Sequence, residues 1–155
     1  MKKKIVKQLV CSIIASMILC GSVFAGQFDR QANDAYINEV SMQYNLEPSL
    51  VKAVIDTESC WEEQALSSSG CMGLMQISPR WHYDRMERLG VTDLNDGRQN
   101  ILVGCDLLAE LISNYGDVGF SLMVYNQGYK SAKQSFDTSG YSSYAQKVLG
   151  KMSEF

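Results

Sequence analysis

Apolar residues recur at helical spacing along most of the chain, and nowhere do they alternate with polar ones over the length of a strand. From Ala35 to Leu46, the residues Tyr36, Ile37, Val40 and Tyr44 share one face with a period near four. Pro48 opens a second helix, whose apolar positions are Leu50, Val51, Val54 and Ile55; Pro79 marks another start, with Trp81 and His82 on a short surface helix. From Arg98 on, Ile101, Gly104, Cys105, Leu108, Leu111 and Ile112 repeat the helical period, and Gly104 admits a close approach of another segment. Shorter helical patterns cover Val118 to Asn126 and Tyr144 to Met152. The pattern predicts a single all-α domain, with a small irregular or hairpin element between Cys60 and Ile77.

The first 25 residues differ in kind. Lys2, Lys3, Lys4 and Lys7 precede an uncharged stretch from Leu9 to Phe24, and Val23-Phe24-Ala25 supplies small residues for cleavage, so residues 1–25 are expected to be a secretory signal and 26–155 the exported domain. Retention of residues 5–25 as a membrane anchor is the alternative, since the stretch falls just short of the ~20 residues that span a bilayer. A lipid anchor at Cys20 is disfavoured by the bulk of Leu19 before it. The full chain has 14 basic and 17 acidic residues; without the four leading lysines the count is 10 against 17, a net charge of −7. Such a domain suits neither nucleic acid nor an anionic lipid surface. Outside the cytoplasm, Cys60, Cys71 and Cys105 permit one disulfide and one leftover thiol in any of three pairings, of which Cys60 with Cys71 would tie down the serine-rich loop.

That loop follows a single carboxylate. Glu58 lies seven residues after Val51, four after Val54 and three after Ile55, so it shares their apolar face. Burial there would raise its pKa, as a general acid at neutral pH requires. Asp56 is turned roughly 200° away and is expected in solvent. Hydrolysis of a glycosidic bond usually takes two carboxylates, about 5 to 9.5 Å apart according to stereochemistry. Cys60, Trp61 and the serines end the helix near Ser59, which leaves Glu62 and Glu63 as surface charges and Asp93 and Asp96 for turns or caps. An acid acting alone needs an internal nucleophile from its substrate. Gly73-Leu74-Met75-Gln76-Ile77 brings close-approaching backbone and an amide, and Tyr125-Asn126-Gln127-Gly128 an aromatic and an amide at a helix end.

In order and spacing, Glu58-Ser59, Gly73-Leu74-Met75-Gln76-Ile77, Asn100-Ile101 with Gly104, Tyr125-Asn126 with Gly128, and Tyr144 with Val148 resemble the soluble lytic transglycosylase family, the family 23 glycoside hydrolases related to goose-type lysozyme. The resemblance implies a compact lysozyme-like helical domain that cuts the β-1,4 bond between N-acetylmuramic acid and N-acetylglucosamine in peptidoglycan strands and leaves a 1,6-anhydro end. It implies Glu58 as acid and base, Ser59 as its support, Met75, Gln76, Ile77, Tyr125 and Asn126 along the sugar sites, and Tyr144 pointing at the acid. A monomer is expected, with no cofactor. The chain departs from the family pattern at Val124, at Ala145, and at Gly140, where an acidic residue is common.

Two other readings compete. A hydrolytic muramidase would need a supporting aspartate from Asp93 or Asp96, and no spacing places either. A non-catalytic peptidoglycan-binding or assembly protein would not depend on Glu58. One histidine, His82, and scattered cysteines give no zinc spacing, and no phosphate-binding glycine loop is present. The small size and acidic charge point to local cutting of the wall, placed by a partner from a secretion or conjugation apparatus.

Overall fold

The computed structural model describes residues 30–155, with side chains from residue 33 on, so the expected signal or anchor lies outside the described residues. Six α-helices and a terminal 3-10 turn make up the domain: α1 (Arg30–Gln43), α2 (Pro48–Ser59), α3 (Pro79–Leu89), α4 (Gly97–Tyr115), α5 (Val118–Ser139), α6 (Ser143–Lys151) and the turn Met152–Glu154. Among the described residues, no helix is long and apolar enough to cross a membrane.

The helix ends follow sequence chemistry. Pro48 and Pro79 occupy first turns, where a missing N–H costs nothing. Asp96, Asp117 and Ser142 accept hydrogen bonds from the backbone N–H groups of Gln99, Phe120 and Ala145, satisfying donors that the helix itself leaves open.

Helix α4 is the axis of the core. Ile101, Val103, Gly104, Cys105, Leu107, Leu108 and Leu111 are all buried along it, so apolar residues cover most of its circumference. It contacts α1, α3 and α5, while α6 packs on both α5 and α2. Ile37 and Val40 of α1 and Leu50, Val51 and Val54 of α2 belong to the same cluster. Helix α3 buries no residue fully and is held to α4 by ion pairs from Arg85 and Arg88 to Asp106, with a further pair from Arg85 to Glu110. His82 lies on this helix, as expected, and burial with Arg85 nearby pushes its pKa down to about 4, so it is neutral.

Two expectations are corrected. The helix from Val118 does not stop at Asn126: it breaks at Gly128, whose φ of 74° and ψ of 158° are not helical, and then resumes to Ser139. The resumed part carries few apolar residues, and its Ala132 is the one fully buried position, so the hydrophobic pattern gave little signal there. Nor are Cys60 and Cys71 bridged to each other. Hydrogen bonds close the loop, from Ser67 N–H to the Cys71 carbonyl at 2.9 Å and from Cys71 N–H to the Ser67 hydroxyl at 2.9 Å. The irregular element expected between Cys60 and Ile77 is present as two isolated bridges, Leu66 with Met72 and Met72 with Ile77.

Candidate active site

Glu58 sits in the last turn of α2, one residue from its end. Its carboxyl is enclosed by protein while part of the residue still meets solvent. Loss of hydration pushes its pKa from 4.5 up to about 7, against the opposing pull of a hydrogen bond from Tyr144 and of the Lys147 ammonium. The Tyr144 hydroxyl donates to Glu58 Oε1 at 2.5 Å. Burial and the neighbouring carboxylate hold the Tyr144 phenol well above its usual range, so it remains a donor at neutral pH.

The other acids near α2 and its loop are engaged elsewhere. Glu62 accepts from Gln64 N–H, Glu63 from Gly97 N–H, Asp93 from Asn95 N–H and Asp96 from Gln99 N–H. Asp56 departs from expectation. Instead of standing in solvent it is largely buried, accepting from Trp61 Nε1 at 2.9 Å and from Lys151 Nζ at 2.5 Å. The sequence could not show this, because the lysine lies 95 residues away.

The loop after α2 is anchored by Asn100, in the first turns of α4. Its side-chain oxygen accepts from Met75 N–H at 2.8 Å, and its nitrogen donates to the carbonyls of Met72 and Leu94, both at 2.9 Å. Gly73 turns beneath it with φ of 74°; a Cβ there would lie 2.2 Å from Asn100 Nδ2. Across the loop, the buried Tyr125 hydroxyl donates to the Met75 carbonyl at 2.7 Å. Met75 is thus fixed at both its N–H and its carbonyl, and its side chain packs in the core, where a Cβ on Gly104 would meet its sulfur at 2.3 Å.

The predicted site residues therefore separate into kinds. Glu58, Tyr144 and Tyr125 come together around one carboxyl, with Tyr125 close enough to feel its charge. Gln76 has left-handed backbone at φ of 50° and spends its amide nitrogen on the carbonyls of Gly73 and Ala65, so its oxygen is the end left to offer a ligand. Met75 and Ile77 have buried side chains and present backbone. Ser59 is buried, and its hydroxyl donates to the Ile55 carbonyl, bracing the last turn of α2 and not the carboxylate. Asn126 is half-buried on α5 beside Tyr125. Two participants had no role in the sequence reading. Asn100 stood there as a residue of the family motif with no task assigned to it, and Lys147 only as a residue three after Tyr144, hence on its face of α6. Among the described residues, no three His, Cys, Asp or Glu side chains gather as a metal site would require.

The chain is similar to known proteins. The family described as the transglycosylase SLT domain matches residues 35–147. The transglycosylase of Enterobacteria phage PRD1 is 41% identical over 105 residues, covering 68% of this chain and 38% of that protein. The membrane-bound lytic murein transglycosylase F of Enterobacter sp. (strain 638) is 32% identical over 87 residues, covering 52% of this chain and 16% of that protein. The chain spans well under two thirds of these relatives. Among solved structures, an inactive mutant of lytic transglycosylase Slt from Pseudomonas aeruginosa superposes with a TM-score of 0.68 at 20% identity, over 79% of this chain and 23% of that one. The 70 kDa soluble lytic transglycosylase of Escherichia coli gives 0.61 at 21% identity, over 74% and 23%. These two likenesses establish the helical fold.

Proposed function

The chain belongs to the transglycosylase SLT domain family, and from that premise we infer that it is a peptidoglycan lytic transglycosylase in which Glu58 acts alone as acid and then base. The observation that supports this reading is a single enclosed carboxyl with its pKa raised to about 7, facing a phenol and an ammonium, with the nearby acids paired elsewhere.

The steps follow from that isolation. Protonated Glu58 delivers its proton to the glycosidic oxygen between N-acetylmuramic acid and N-acetylglucosamine as the C1–O bond breaks. The N-acetyl carbonyl of the muramyl residue closes on C1, so that positive charge does not wait for a second carboxylate. Glu58, now ionised, is steadied by the Tyr144 hydroxyl and the Lys147 charge. It then draws the proton from the muramyl C6 hydroxyl, O6 takes C1 from the N-acetyl oxygen, and a 1,6-anhydro ring closes without water. The acid is thereby returned to its protonated form. Gln76 and Asn126 supply polar contacts to the saccharide, and the backbone around Met75 and Ile77 forms the wall beside it.

A pH profile tests the assignment. The acid must begin protonated, so kcat/KM for release of soluble fragments is expected to fall as pH rises through about 7. Tyr144→Phe removes the hydrogen bond that favours the ionised form, so Glu58 holds its proton more tightly and the limb moves to higher pH. A rate flat across this range in the parent enzyme would remove Glu58 from the role of acid.

A location at the cell envelope follows from the same reading, as does delivery by the N-terminal segment, whether cleaved or kept as an anchor through residues 5–25. The domain acts as a monomer on glycan strands, and its negative charge fits placement by an envelope partner.

A further inference from the structure

The contact between Glu58 and Tyr144 joins two helices distant in sequence, and it is made at the end of one of them. Helix ends fray unless something holds them. Immediately after Ser59, the chain leaves α2 through two consecutive left-handed residues that are not glycine, Cys60 with φ of 51° and Trp61 with φ of 67°. Each costs on the order of 1 kcal/mol, so surrounding contacts must enforce them.

Those contacts converge on Asp56. One carboxylate oxygen accepts from the Trp61 indole, which keeps the exit from α2 in place, and the other accepts from Lys151 at the end of α6. The Trp61 ring is fully buried, and Phe155 meets it edge-on at 6.0 Å between centroids. The lysine side chain is mostly covered, with Glu154 3.9 Å away as its outer neighbour. Helix α6 and the 3-10 turn after it lie along α2. Asp56 is on the face of α2 opposite Glu58, and Lys151 follows Tyr144 by about two turns, on the same face of α6. One pair of charges therefore ties the Tyr144 face of α6 to the last turns of α2, whose other side carries the active carboxyl.

We propose that Lys151 is a positioning residue: through its ion pair with Asp56 it holds α6 on the last turn of α2 and so sets the contact between Tyr144 and Glu58. It touches neither the acid nor the saccharide. The proposal rests on the assignment of Glu58 as the acid, but its first readout does not. The groups that act on Glu58 are Tyr144 and Lys147 from α6, with Tyr125 nearby from α5. If the clamp is released, the Tyr144 hydrogen bond lengthens and the Glu58 midpoint rises.

The experiment follows the Glu58 carboxyl by carbon NMR against pH in the parent chain, Lys151→Met, Lys151→Arg and Asp56→Asn. Removing a cation raises a carboxyl pKa through charge alone, and removing an anion lowers it. Charge effects therefore move Lys151→Met and Asp56→Asn in opposite directions, whereas a released clamp moves both upward. The expected result is an upward shift in both, with Lys151→Arg near the parent. The alkaline limb of kcat/KM should move with the midpoint. Opposite shifts, or none in folded variants with lowered melting temperature, would reduce the ion pair to a structural tie and overturn the proposal. If Lys151→Met does not fold, Asp56→Asn decides the matter, since asparagine retains the acceptor for Trp61. A shifted midpoint in a chain that cuts no peptidoglycan would leave the clamp standing and count against the enzymatic reading alone.

Discussion

Glu58→Gln is expected to lower fragment release from peptidoglycan by about a thousandfold, in the middle of the range for a lost general acid or base. Glutamine keeps the shape and can still accept from Tyr144, so the fold is expected to persist. Stability should change in the direction opposite to activity. A carboxyl whose pKa is raised from 4.5 to about 7 on folding contributes stability that is complete below pH 4.5 and is lost as pH rises through 7, because the unfolded chain ionises freely and the folded one resists. The full difference is about 3 kcal/mol. Glutamine never carries that charge, so above pH 7 the variant is expected to denature at higher temperature or urea concentration than the parent. An inactive variant that is also less stable at pH 8 would mean that Glu58 is a structural group and not a strained acid.

The second large effect concerns the floor of the site. Asn100→Ala removes three hydrogen bonds at once and leaves the Met75 N–H and the Leu94 carbonyl without their partner, while the Met72 carbonyl keeps only its bond from Ile77 N–H. Each such group costs about 1 to 3 kcal/mol, so a loss of about 4 kcal/mol is expected, a large share of the stability of an ordinary domain. Gly73→Ala acts on the same anchor from the other side, since its Cβ would lie 2.4 Å from the Leu94 carbonyl as well as against the asparagine. In that variant the backbone must also keep a left-handed angle without glycine. Urea denaturation measures both, and a loss below about 1 kcal/mol in Asn100→Ala would mean that the loop is held by something else. Activity in surviving molecules should fall too, because the Met75 backbone links Asn100 to Tyr125, which lies near Glu58.

What the sequence made legible was local. The place of Glu58 followed from its spacing to Val51, Val54 and Ile55, the helix starts from Pro48 and Pro79, and the stop near Ser59 from the residues after it; each depends on neighbours within one or two turns. The ordered motifs carried the rest of the site, including Tyr144 at Glu58, which no periodicity could have brought together across 86 positions. What remained hidden depended on tertiary partners. Asp56 read as a solvent charge because its own helix offers it nothing; Lys151 supplies the partner from the other end of the domain. Cys60 and Cys71 lie close enough in sequence to suggest a bridge, yet the loop between them is satisfied by serine and backbone hydrogen bonds. The second half of α5 escaped notice because it is a mostly exposed helix, with charge and hydroxyl groups where a buried face would have announced it.

On the proposed reading, one carboxyl, helped by the substrate itself, cuts the glycan without water. The most direct test is mass spectrometry of the soluble fragments released from purified peptidoglycan by residues 26–155, beside the Glu58→Gln variant. Fragments ending in 1,6-anhydromuramic acid are expected from the parent and almost none from the variant. Reducing muramic ends from the parent would contradict it, since they require a water and a second group to activate it.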